Sequence, residues 1–430
     1  MLPGGPLGGD VSLPGDKSIS HRALLFSALA NGSTEIHGLS RGADVRSTAS
    51  ALASLGVSLQ TRSSGEVIVH GVGLTGLQEP AGAIDCGNSG TTLRLLAGVV
   101  AGQSFETTLT GDQSLCGRPM ARIVEPLRLM GAQVEAADDG RRAPLRIRGG
   151  RLDAIEHVSR VSSAQVKSCV LLAGLQATGR TVLWEPSQSR DHTERMLSAL
   201  GVHVERVDGG VAVEGGQPLQ VAPEPLQVPG DLSAAAFLAV AGAALPGSDL
   251  RLMDVGVNPT RTGFLDVLEQ AGIDVERGPV VVSGGEPRTN LRIRSGPLAA
   301  FELKGALVPR LIDEIPILAI LAARAQGTTR IVDAGELRAK ESDRIRTTVN
   351  MLRTFGVNVL ELPDGLVIDG MPDRPLCGGG SVDAAGDHRI AMAAVIGALM
   401  ADAPTHLIGA RAVDVSFPGF FQTLETCQAG

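Results

Sequence analysis

At 430 residues, 43% of them apolar, the chain is longer than one core usually serves and has enough apolar content for two. A formal net charge of −8 and an aromatic content of 2%, with no tyrosine, argue against a global basic field for nucleic acid or anionic membrane. The same composition removes stacking platforms for single strands and tyrosine as a proton donor.

In chain order, the opening "MLPGGPLGGD" lacks a basic n-region and an apolar h-region, so no signal peptide is expected. A strand in "GGDVSL" leads to "LPGDKSISHR", where Lys17, Ser18, His21 and Arg22 crowd the start of an apolar helical run, "ALLFSALA". From there one pattern recurs: "LGVSL", "MGAQV", "LGVHV", "AGIDV" and "FGVNV". Their glycines, Gly56, Gly131, Gly201, Gly272 and Gly356, are spaced 75, 70, 71 and 84 residues apart. Each follows an amphipathic stretch such as "RIRTTVNMLRTF" and precedes an alternating segment, which predicts a helix, a left-handed glycine cap and a strand. A second strand follows, then a polar loop, an Ala/Leu-rich helix and a further strand. The unit is two helices and about four strands in roughly 70 residues.

A sixth copy begins at "DHRIAMAAVIGALMADAPTHLIGA" and lacks its closing strands; the simplest closure uses the N-terminus. Its apolar run 390–401 is twelve residues, short of the roughly 20 needed to span a bilayer, and predicts a buried helix. The expected architecture is α/β, with residues 1–13 plus 229–430 as one domain and 14–228 as the other, three units each. Crossings are expected near Leu13–Gly15 and at "LQVPGD" (226–231). An open solenoid suits such apolar helices less well. Cys86, Cys116, Cys169, Cys377 and Cys427 show no CxxC spacing, so a reduced cytoplasm is expected.

Polar residues recur at one place in the repeat, the loop before each first helix: Lys17-Ser18, Asn88-Ser89-Gly90-Thr91, Ser162-Ser163-Ala164-Gln165, Asp231-Leu232-Ser233, Asp313-Glu314 and Asp387-His388-Arg389. The loops before the second helices add Arg118, Arg190, Lys340 and Arg344. A helix start offers unpaired N–H groups and a partial positive charge, so several aimed at one place would hold anions without a basic surface. Lysine and arginine there add the charge-assisted bonds that phosphate and carboxylate favour. Asp231, Ser233 and Thr260 are read first as ordinary N-caps. Eight histidines without HxH or HExxH make a metal site unexpected. "GVGLTG" fits a dinucleotide loop only in spelling, since "LQEPAGA" rather than a helix follows it, and "GDKS" has Asp16 where a phosphate loop needs glycine.

Nine ordered motifs, "PGDKSISHR", "GNSGTTLRLL", "GRPM", "SAQVKS", "SRDHTE", "IDEIP", "KESDRI", "DHRIAM" and "SFPGF", run from residue 14 to 420. Through them the whole chain resembles the 5-enolpyruvylshikimate-3-phosphate synthase (3-phosphoshikimate 1-carboxyvinyltransferase) family of enolpyruvyl transferases. The resemblance implies an inside-out α/β barrel of two domains, each of three βαβαββ units, with the active site in the interdomain cleft. It implies transfer of the enolpyruvyl group of phosphoenolpyruvate to the 5-hydroxyl of shikimate 3-phosphate, with release of phosphate, on the route to aromatic amino acids. No cofactor or metal is implied, because the transferred group arrives activated. A monomer is expected, with no nucleic acid or membrane partner.

Carried over motif by motif, the resemblance places Lys17, Ser18, Arg22, Ser162, Ser163, Gln165, Arg190, Asp313 and Lys340 on shikimate 3-phosphate. Phosphoenolpyruvate falls to Lys17, Asn88, Gly90, Thr91, Arg118, Gln165, Lys340, Arg344, His388 and Arg389. Asp313 is expected as base toward the hydroxyl and Glu341 as acid toward the methylene, with Lys17 beside them in catalysis. Glyphosate is expected to compete with phosphoenolpyruvate. His192, Ala164 and Val415–Ser416 depart from residues that other branches of the family carry. A transferase acting on UDP-N-acetylglucosamine would want Lys-Asn in the first loop and cysteine five residues before the "RP" arginine; this sequence has Lys17-Ser18 and Gln113. A non-catalytic repeat protein binding phosphorylated metabolites would leave Asp313 and Glu341 without a purpose.

Overall fold

The structure, a computed structural model, describes residues 1–428. The chain forms two compact units, one from Met1–Pro14, Pro229–Val281 and the residues from Pro287 onward, the other from Gly15–Val228 and Val282–Glu286.

The second unit holds three four-stranded sheets of one design. In the sheet built on Glu106–Thr110, a short strand, Ile84–Asp85, runs parallel on one side and Arg142–Arg148 antiparallel on the other, with Gln133–Ala136 beyond it. A parallel neighbour needs a long crossover, here the helix Gly90–Val100, whereas antiparallel neighbours can be joined by a short connection. The residues Arg142–Arg148 alternate exposed and buried along their length, so one face of the sheet is covered and the other wet.

Two kinds of helix cover these sheets. The first helix of each repeat is mostly buried: every residue of Ile315–Ala323 is buried, and so is every residue of His388–Leu399. The second helices, such as Arg344–Thr354, bury one face only. At their ends Gly56, Gly131, Gly201, Gly272 and Gly356 have φ of 85°, 100°, 84°, 90° and 72°, the left-handed cap that the repeated pattern predicts.

Glycine also sets how closely the buried helices approach. A β-carbon on Gly98, in Gly90–Val100, would lie 2.2 Å from the carbonyl oxygen of Cys169 in the helix Ala164–Gly174. That contact brings the starts of these two helices into hydrogen-bonding range.

The end units correct the closure expected for the N-terminus. The strand Gly8–Ser12 pairs in parallel with Asp249–Gly256, so it completes the fourth repeat rather than the sixth. In the other unit Leu226–Gln227 pairs with Asn31–His37 and completes the first repeat. Each strand thus sits just before a crossing and serves a repeat distant in sequence. The residues ahead of the strand also reach the sixth repeat, where Gly4 N–H donates to the Leu399 carbonyl and Thr405 N–H to that of Met1. The sixth repeat is left with a two-stranded sheet, Ser381–Asp383 beside His406–Ile408. The helix Phe420–Gln428 packs against the strand Gly8–Ser12, and its Phe420 ring meets Phe237, Phe417 and Phe421.

Candidate active site

In the second unit, Asp16 caps the helix Lys17–Leu29 by accepting from the Ile19 N–H at 2.9 Å. Lys17 leaves that first turn toward Asp44, 3.0 Å from its ammonium, and its side chain is only 18% exposed. It is therefore more enclosed than a residue facing open solvent. Arg22, one turn on, is buried: its guanidinium donates to Thr193 Oγ1 and Ser168 Oγ at 2.7 Å and to the Ser18 carbonyl at 2.9 Å. Burial pulls Arg22 down to about 10, with Glu194 opposing and Arg190 adding to the fall. Ser18 is thereby fixed through its carbonyl, and Arg190 stands within electrostatic reach of Arg22.

A second group forms where Gly90–Val100 meets Ala164–Gly174. Gln165 donates to Thr91 Oγ1 at 2.9 Å and accepts from Arg94. Arg118 donates to Asn88 Oδ1 at 2.5 Å, and Asn88 in turn donates to Asp112 at 2.7 Å. Gly90 lies between the two arginines, since a β-carbon there would be 2.8 Å from Arg94 Nη1 and 3.4 Å from Arg118 Nη1. A third group holds Ser162, whose Oγ is 2.8 Å from Ser187 Oγ, and Ser163, whose N–H donates to Glu185 at 3.2 Å.

In the first unit one buried arginine collects the carboxylates. Arg344, 1% exposed, donates Nε to Asp387 at 2.7 Å, Nη1 to Asp313 at 3.0 Å and Nη2 to Glu341 at 2.5 Å. Burial opposes its charge, but Asp387, Glu341 and Asp313 together hold the guanidinium above its ordinary value. Burial likewise pushes the Asp387 carboxyl up, and Arg344 outweighs it and keeps the group below the usual range. Lys340 approaches Asp313 at 3.3 Å, and Arg389 donates to the Asp313 carbonyl at 3.2 Å. Asp387 also caps the helix His388–Leu399, accepting from the Arg389 N–H at 2.9 Å, and His388 is buried behind it. Asp313, Lys340, Glu341, Arg344 and Arg389 thus form one cluster, with His388 at the same helix start.

A model of the family EPSP synthase (3-phosphoshikimate 1-carboxyvinyltransferase) matches residues 2–424. The chain belongs to this family. It is 49% identical over 422 residues to the 3-phosphoshikimate 1-carboxyvinyltransferase of Shouchella clausii, covering 98% of this chain and 97% of that one. To the protein of the same name from a Synechococcus strain it is 51% identical over 428 residues, covering 99% and 95%. Among solved structures, an EPSP synthase of Acinetobacter baumannii aligns with a TM-score of 0.89 at 41% identity over 99% of this chain and 97% of that one. The enolpyruvyl transferase NikO of Streptomyces tendae shares the fold, with a TM-score of 0.79 at 18% identity over 99% and 96%.

Two expectations need correction, both concerning residues read as caps. Of the three residues read as caps, Asp231 alone acts as one, accepting from the Ser233 N–H at 2.7 Å. Ser233 Oγ instead donates to Glu314, and Thr260 donates to Asn258. Arg344 of "ESDR" is buried among acids and not paired at the surface. Asp44 and Glu185 lie outside every motif, and Arg94, Lys167, Glu194 and Glu314 lie within motifs that gave them no role. The one signal for Lys167 is a lone charge inside the apolar helix "AQVKSCVLLAG", which a buried partner must explain. His192, where the sequence departs from other branches, is buried with Nδ1 2.8 Å from Glu286. Among the described residues no group of three His, Cys, Asp or Glu side chains is arranged to hold a metal ion, and no helix is long and apolar enough to cross a membrane.

Proposed function

We propose that this chain transfers the enolpyruvyl group of phosphoenolpyruvate to the 5-hydroxyl of shikimate 3-phosphate and releases phosphate, a step toward aromatic amino acids. The observation that carries this beyond family membership is the shared guanidinium of Arg344, which holds Asp313 and Glu341 on different nitrogens. Two carboxyl groups kept apart yet adjacent suit a reaction needing a base for the hydroxyl and an acid for the methylene carbon, with the roles reversed as phosphate leaves. Asp313 is assigned as base and Glu341 as acid.

Lys17, Ser18, Ser162, Ser163, Gln165, Arg190, Asp313 and Lys340 are assigned to shikimate 3-phosphate, with Arg22 acting from below through Ser18. Asn88, Gly90, Thr91, Arg118, Gln165, Lys17, Lys340, Arg344, His388 and Arg389 are assigned to phosphoenolpyruvate. Charge-assisted donors at these helix starts stabilise the doubly charged phosphates and the developing tetrahedral centre. The working unit is a single chain in the cytoplasm, which five unpaired cysteines support.

The test is phosphate release with each substrate alone and with both. Release requires phosphoenolpyruvate and shikimate 3-phosphate together; release when UDP-N-acetylglucosamine replaces the second would reverse the substrate assignment.

A further inference from the structure

Below the serine loop lies a buried charge cluster that the reaction itself does not use. Lys167, 3% exposed, rises from the helix Ala164–Gly174 with its ammonium 2.7 Å from Glu194 Oε1 and 3.1 Å from Glu185 Oε2. It also donates to the Ser189 carbonyl at 3.3 Å. Burial alone would strip its charge, but Glu194 and Glu185 reverse the shift and hold it above the usual lysine value. Glu185 faces two ways: Oε1 accepts the Ser163 N–H at 3.2 Å, and Oε2 accepts the Ser189 N–H at 3.2 Å and its hydroxyl at 2.9 Å. The Ser187 N–H adds a bond to Ser162 Oγ at 3.0 Å. Two loops, one bearing Ser162 and Ser163 and the other leading directly into Arg190, are thus joined through one carboxylate, which a buried ammonium holds at 3.1 Å.

We propose that Lys167 and Glu185 are positioning residues for the phosphorylated acceptor, a buried staple that sets the spacing between the Ser162–Ser163 and Ser189–Arg190 loops. This rests on the assignment of those loops to shikimate 3-phosphate. Neither side chain touches substrate. Each acts through backbone and hydroxyl groups whose placement decides how the acceptor's phosphate is held. Glu194 links the staple to Arg22, for which it is the strongest attractive partner.

Removing the ammonium alone would strand two buried carboxylates, so the decisive variant is the charge-balanced pair Lys167→Met with Glu185→Gln, accompanied by Glu185→Gln alone. Both are measured for thermal midpoint and for the KM of each substrate. The account predicts a folded double variant whose KM for shikimate 3-phosphate rises about tenfold while that for phosphoenolpyruvate stays within about twofold. Glu185→Gln alone shifts the same constant in the same direction, and it decides the matter if the double variant fails to fold. An unchanged KM for the acceptor, or an equal rise in both constants, would overturn the staple. Failure of the unaltered chain to turn over the two substrates would instead remove the functional assignment on which the staple rests.

Discussion

At the scale of single residues, the charged groups of the site are held by carboxylate, amide, hydroxyl and backbone carbonyl partners. Gly90 shows what that implies for the phosphoenolpyruvate side. An added methyl would press on the end of Arg94, a flexible side chain, and on Arg118 at a distance that leaves little slack. Gly90→Ala should therefore fold normally yet displace the guanidiniums. A KM for phosphoenolpyruvate raised several-fold and weaker inhibition by glyphosate are expected, with the acceptor's KM little changed; unchanged inhibition would move Gly90 away from the donor site.

His21 makes a prediction about acid. It is buried with Nδ1 2.7 Å from Thr48 Oγ1, in a chain of hydroxyls that runs through Thr92 to Ser89. Burial lowers it to about 3 from an ordinary 6.5, with the nearby Asp44 only partly offsetting this. Below pH 6.5 the unfolded chain takes up a proton that the folded chain refuses, so stability is full above that pH and is lost as pH falls toward 3. The thermal midpoint of His21→Gln should decline less steeply over this window than that of the unaltered chain. Equal slopes would show that other groups govern the acid limb.

At the scale of elements, close helix packing places the polar groups. Gln165 meets Thr91 and Arg94 because Gly98 lets two helices approach until a β-carbon would strike the Cys169 carbonyl. Backbone cannot yield as a side-chain end can. Gly98→Ala should cost about 1–3 kcal/mol by overpacking, read as a lower thermal midpoint, and should also impair turnover by separating Gln165 from Thr91. A variant with normal stability and normal kinetics would refute this packing. The elements were readable in advance because each carries a local signal: 3.6-residue periodicity for the second helices, continuous apolar runs for the first, glycine at every left-handed cap. Residues at helix starts and in loops, such as Lys17, Arg118 and Arg389, could be picked out as candidates through motifs. The pairing of Lys167 with Glu185 and of Lys17 with Asp44 could not, because the residue types reveal a charge but not where a buried partner will come from.

At the scale of the whole molecule, the repeats could be counted from sequence, whereas the exchange of strands could not. The strands Gly8–Ser12 and Leu226–Gln227 contribute five and two residues, too few for any pattern to specify a partner. Parallel pairing over separations of 241 residues (8 to 249) and 190 residues (36 to 226) leaves no turn signal either. The exchange lets a single chain build two compact units of three repeats each.

The central claim is that Asp313 and Glu341 run an addition followed by an elimination on the enolpyruvyl group. Its most direct test is turnover in deuterium oxide, reading the methylene hydrogens of the product by nuclear magnetic resonance. A proton added from solvent to make a transient methyl group and then removed predicts deuterium in that methylene, appearing only when both substrates are present. A product formed with its methylene fully unlabelled would contradict the account.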